Sequence, residues 1–114
     1  MDDDSGVPHA EVASLPTDFG SSVVLLDVRE NDEWQRGHAE HATHIPMGEV
    51  ADRLAEIDPD AQLFLICHLG GRSLRVAHYL QSQGYRPVNV AGGMQAWTAA
   101  GRPVITDDGL PGTV

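Results

Sequence analysis

The sequence predicts an α/β domain, on three observations. Two apolar runs, Val23-Val24-Leu25-Leu26-Asp27-Val28 and Leu63-Phe64-Leu65-Ile66, lack a helical period and have the length of strands buried on both faces, as in a parallel sheet. Apolar residues at helical spacing lie between and after these runs. A glycine-bearing loop follows the second run, at the strand edge where α/β folds build their sites.

Taken in chain order, the first 22 residues carry weak signals, a short strand near Val7 and a helix from His9 to Leu15 before Pro16. The strand at Val23 to Val28 comes next. Val50, Leu54 and Ile57 recur at i, i+4 and i+7, an amphipathic helix stopped by Asp58-Pro59. After the strand at Leu63 to Ile66, Leu74, Ala77 and Leu80 share a helix face, and Gly84 supplies the helix end. Val88-Asn89-Val90 is a further short strand. Gly92-Gly93 turns into a helix holding Met94 and Trp97, which Gly101-Arg102-Pro103 ends. From Ile105 the composition is that of a frayed end. The expected organisation is a flexible N-terminus over residues 1–6, one domain over 7–104 and a tail over 105–114.

Composition removes several chemistries. The chain has 114 residues, with 17 acidic side chains, 7 basic ones that are all Arg, six His, one Cys and no Lys. Without Lys there is no Schiff-base chemistry and no Lys-bearing phosphate loop. The lone Cys67 excludes an intrachain disulfide, a C-x-x-C pair and sites built on several thiolates. A formal charge of −10 disfavours nucleic acid and anionic membrane as partners. The acidic start Met1-Asp2-Asp3-Asp4 is unlike a secretory signal, so a cytoplasmic location and a free thiol are expected.

The segment Cys67-His68-Leu69-Gly70-Gly71-Arg72-Ser73 stands where a buried strand ends and a helix begins. Loop amides and the positive end of the following helix both lower a cysteine's pKa from ~8.5. Gly70 and Gly71 permit positive φ, which turns N–H groups inward toward an anion. Arg72 adds a guanidinium. By spacing alone a lone Cys at a strand end is more often an inert core residue; strand, Cys, two Gly, Arg and helix in seven residues favour a nucleophile.

With these residues in hand, the sequence resembles the single-domain rhodanese (sulfurtransferase) family. The likeness runs in order through Leu26-Asp27-Val28-Arg29-Glu30, Glu33-Trp34, Gly37-His38, Ile45-Pro46, the Cys67 loop, Gly92-Gly93-Met94-Gln95-Ala96-Trp97 and Gly101-Arg102-Pro103-Val104. The resemblance implies a five-stranded, mainly parallel sheet with helices on both faces. It implies that Cys67 takes sulfane sulfur from a thiosulfate-like or persulfide donor and passes it to a thiol, cyanide or protein acceptor, without metal or organic cofactor. It gives His68, Leu69, Gly70, Gly71, Arg72 and Ser73 to substrate binding, with Ser73 either hydrogen-bonded to the sulfur or capping the helix. Four residues separate Cys67 from Arg72, as in sulfurtransferases. Related phosphatases and arsenate reductases carry one more, so that activity is the less favoured alternative. A sulfur-carrier or sensor module without turnover is the other.

The resemblance also has departures. Family members that use thiosulfate often carry a cation after the Cys, where this chain has His68. The usual Gly-His-Ile-Pro-Gly-Ala run reads Gly37-His38-Ala39-Glu40-His41-Ala42 and lacks the Pro-Gly turn. His38, His41 and His44 at three-residue spacing invite a metal reading, but Ile45-Pro46 blocks a continuous helix there. His38 is expected to be a structural hydrogen-bonding residue instead. Asp27 and Arg29 could form an acid/base pair; the resemblance implies that Asp27 braces the loops below the site and that Arg29 pairs with an acid such as Glu33. Trp34 and Trp97 read as core residues.

Overall fold

A computed structural model describes residues 6–114. The expected flexible N-terminus falls mainly on residues 1–5, outside the described residues. Five strands form one all-parallel sheet: β1 (His9–Ala10), β2 (Val23–Asp27), β3 (Thr43–His44), β4 (Gln62–Ile66) and β5 (Pro87–Val90), in the order β1-β5-β4-β2-β3. The α-helices are α1 (Asn31–Arg36), α2 (Gly71–Ser82) and α3 (Gly93–Ala99).

Side chains alternate across β2 and β4, so each strand feeds two cores. Leu26, Leu63 and Leu65 pack with Val76, Ala77 and Leu80 of α2, while Leu25 and Ile66 pack with Met94 and Trp97 of α3. The sheet is thereby covered on both faces, as its unbroken apolar strands require. From the central pair the chain runs outward to β3 on one side and to β5 on the other. The chain's winding thus reverses direction between β2 and β4, whose C-terminal ends carry Asp27 and Cys67.

Several elements differ from expectation. Residues 50–57 form 3-10 turns rather than one α-helix: Ala51–Glu56 is broken at Arg53 (φ −117°, ψ 23°), whose guanidinium reaches both Glu49 and Glu56. Val50 and Ile57 are buried as their spacing requires, because periodicity reports which residues face the core and not which hydrogen-bond register joins them. The predicted helix from His9 to Leu15 is instead β1, paired with β5, followed by the single 3-10 turn Val12–Ser14. Three described elements have no counterpart in the reading by periodicity: β3, the 3-10 turn Met47–Glu49, and α1, which opens on a reciprocal capping box between Glu30 and Glu33.

The segment after Ile105 is docked rather than frayed. His38 and Ile105 exchange both backbone hydrogen bonds (2.8 and 2.9 Å), Thr113 N–H donates to Arg36 O, and Val114 packs on the α3 side of the core. Among the described residues no helix is long and apolar enough to cross a membrane.

Candidate active site

Cys67 follows the last residue of β4 and is buried. Gly70, at φ 114°, caps α2 and turns its own N–H onto Cys67 Sγ at 3.1 Å. A side chain there would be strained, so the loop needs glycine at this position. Gly71 does not share that role; it is the first residue of α2, without positive φ. Ser73 lies inside the helix rather than capping it, and its Oγ stands 3.4 Å from Sγ. The capping alternative therefore falls.

Burial pushes the Cys67 thiol up, but donation from the Ser73 hydroxyl and from the backbone N–H groups of Ser73, Gly70 and Leu69 outweighs it, so the thiol ionises below its ordinary range. The Ser73 hydroxyl has one proton and two further acceptors, Asn89 Oδ1 at 2.6 Å and Gly70 O at 3.2 Å. Asn89 is oriented by its Nδ2, which donates to Gly70 O at 3.2 Å. A thiolate, being charged, competes for that proton better than a thiol does. Alkylation of Cys67 by iodoacetamide should therefore rise with pH to a midpoint below that of a free thiol, and Ser73→Ala should move the midpoint up. Because the folded pKa lies below the unfolded one, the thiolate's contribution to stability is present above the unfolded value and is lost as pH falls through the folded one.

The loop is held from the other face by α3. Met94 N–H donates to Cys67 O at 2.7 Å and Gln95 N–H to His68 O at 3.1 Å. The approach requires Gly93, at φ 57°: a Cβ there would collide with the carbonyls of Cys67 and His68. His68 itself is half-buried, and Leu69, at the loop tip, is 60% exposed.

Asp27, in register with Ile66 of β4, and Arg29 are both fully buried. Arg29 Nε and Nη2 bind the Asp27 carboxylate at 2.8–3.0 Å, and Nη2 also donates to Gly37 O at 2.7 Å. Arg29's acid is thus Asp27 and not Glu33, because β2 ends with the two side chains already adjacent. Glu33 instead pairs with Arg72, Oε1 to Nη1 at 2.7 Å and Oε2 to Nη2 at 2.9 Å. The resemblance expects Arg72 to face a donor; here its guanidinium is engaged by an acid from α1.

His38 and His44 stack parallel to Trp34, at 3.6 and 4.6 Å between ring centres. Trp34 is accordingly a half-buried stacking residue, whereas Trp97 is core and donates to Pro103 O. His38 Nδ1 contacts Trp34 O at 2.9 Å and its Nε2 lies 3.4 Å from Asp107; His44 Nε2 meets Arg29 O. His41, at φ 66°, stands in the turn, in the slot where the family run has Gly. No group of three metal-binding side chains converges among the described residues.

The sequence profile of the rhodanese-like domain matches residues 10–100. The chain belongs to that family. This rhodanese-like domain is 42% identical over 79 residues to YtwF of Bacillus subtilis, which bears a sulfurtransferase name, covering 69% of the chain and 77% of the relative. It is 36% identical over 97 residues to YrkF of the same organism, which bears a sulfur-carrier name, covering 82% of the chain and 52% of that longer protein. Among solved structures, a rhodanese-related protein from Thermoplasma volcanium superposes with a TM-score of 0.80 at 29% identity, covering 88% of this chain and 99% of the other.

Three residues at the site receive no role there from motif and spacing. Asn89 carried a signal, a polar residue inside the apolar strand Val88-Asn89-Val90. Gly93 was legible only as a turn. Glu33 was legible as an acid, with its partner misassigned.

Proposed function

We propose that this rhodanese-like domain is a sulfurtransferase that works by double displacement through a persulfide on Cys67. The Cys67 thiolate attacks the outer sulfur of a donor, the donor's sulfur–sulfur bond breaks, and the leaving group departs with the electron pair. The terminal sulfur of the resulting persulfide then passes to a thiol, cyanide or protein acceptor. With one Cys in the chain, that acceptor must be external.

One observation carries the reading: the Cys67 sulfur receives Gly70 N–H at 3.1 Å, in a loop whose Ser73 hydroxyl is also within reach. Such donors favour a thiolate and the anionic terminal sulfur of a persulfide. The relatives' names, for sulfur transfer and for sulfur carriage, agree with it. The proposed setting is the cytoplasm, whose reducing poise keeps a lone thiol free. The phosphatase or arsenate-reductase reading has less support, because Arg72 is bound to Glu33 at both terminal nitrogens.

Intact mass after exposure to a sulfane-sulfur donor tests the proposal. A gain of about 32 Da on the Cys67 peptide, reversed by a thiol reductant, is expected; an irreversible gain would mean oxidation to sulfinic acid and no gain would sink the mechanism. The carrier reading draws on YrkF and on the exposed Leu69 beside the nucleophile, an apolar contact for a protein. Thiosulfate with cyanide separates the two: sustained thiocyanate production marks an enzyme, a single stoichiometric burst a carrier.

A further inference from the structure

The Glu33–Arg72 pair crosses from α1 to the active loop, 39 residues apart in sequence. Glu33 is anchored at both ends of its interaction. Its Oε1 also accepts Glu30 N–H at 2.9 Å, closing the capping box of α1, so the carboxylate cannot leave Arg72 without uncapping a helix. The hydrogen bonds from Arg72 hold its carboxyl down at about 2, so the pair is ionised throughout the neutral range. Arg72 is close enough to Cys67 and Glu30 to feel both charges.

Charge accounting at the loop follows. Arg72 is the only Arg between Cys67 and Ser73, and the chain has no Lys to add another cation. Its positive charge is cancelled by Glu33, Glu30 lies nearby, and the chain as a whole carries −10. A dianion approaching Cys67 therefore meets the loop N–H groups and the exposed Arg75 one turn along α2, but gains no net charge attraction from the Arg72–Glu33 pair.

We propose that Glu33 is a specificity-determining residue, which turns the site away from dianionic donors such as thiosulfate and toward persulfidated thiols by holding Arg72 in a closed bidentate pair. The inference rests on the sulfurtransferase reading of Cys67. With a persulfide donor the thiolate attacks the outer sulfur of R–S–SH, forming Cys67–S–SH and releasing R–S⁻. With thiosulfate the same attack releases sulfite, and three negative charges must gather at the loop, against one with the protonated persulfide and two with the ionised one. Glu33 touches neither donor; it acts through Arg72.

The test is the loading of Cys67 from thiosulfate and from cysteine persulfide, read as the ratio of the two kcat/KM values. The full chain should favour the persulfide. Glu33→Gln keeps an acceptor for Glu30 N–H but removes the charge, and should raise the thiosulfate-to-persulfide ratio about tenfold through a lower KM, the scale of one screened charge acting on a dianion. Arg72→Gln, which bares Glu33, should shift the ratio the other way and does not depend on the first variant folding. A thiosulfate preference in the unmodified protein, or a ratio unmoved in both variants, would overturn the proposal while leaving Cys67 chemistry intact. Failure of both donors to load Cys67 would overturn both.

Discussion

Cys67→Ser is expected to abolish sulfur loading and thiocyanate production while the domain stays folded. A serine hydroxyl is hardly ionised at neutral pH and is a weak nucleophile without a base, whereas the thiol is drawn below its ordinary range by the loop. Folding should survive because the hydroxyl is smaller than the thiol and still accepts Gly70 N–H, leaving the buried donors satisfied. The cost in stability should be about 1–2 kcal/mol, within the range of ordinary point substitutions. Thiocyanate production measured beside the thermal midpoint checks both halves. Activity within tenfold of the parent chain would remove Cys67 from the mechanism.

Asp27→Ala should be the most damaging to stability, by about 3–5 kcal/mol, because it strands a buried guanidinium. Arg29 is wholly buried, and Asp27 takes three of its side-chain contacts, leaving only Gly37 O. A domain of this size has roughly 5–15 kcal/mol in all, so much of the margin would go. Urea titration at constant m measures it. Replacing both residues, Asp27→Leu with Arg29→Met, should recover part of the loss, since two apolar side chains leave no charge unpaired. A cost below about 1 kcal/mol for Asp27→Ala would mean that Arg29 reaches water once released. Donor preference should hardly change, since the side-chain hydrogen bonds of the pair go to each other and to Gly37 O and not to Cys67.

Much of the site was open to sequence reasoning because it is local. Cys67, Gly70, Arg72 and Ser73 fall within seven residues between a strand and a helix, and chain order alone puts them at one sheet edge. The central strands were legible because burial on both faces leaves an unbroken apolar run. Shorter elements were not. β1 and β3 are two residues each and exist only through pairing with β5 and β2, and the 3-10 turns over residues 51–56 share the apolar spacing of an α-helix. Composition at the C-terminus suggested fraying, yet backbone pairing to residues 36–38 holds it, a contact that hydropathy does not record.

By itself the sequence determined the α/β class and the place of Cys67 and its loop between a strand and a helix, since these depend on residue types and short-range spacing. Only the tertiary structure decided which acid meets which arginine. Asp27, two residues from Arg29, fits its guanidinium from the end of one strand, and Glu33 is carried by α1 across to Arg72. The same holds for the proton of Ser73, shared with Asn89 from another strand, and for Gly93, whose missing side chain makes room for the active loop. Charge pairing and close approach depend on distance in space, and residues 16 to 39 positions apart acquire that distance only when the sheet has formed.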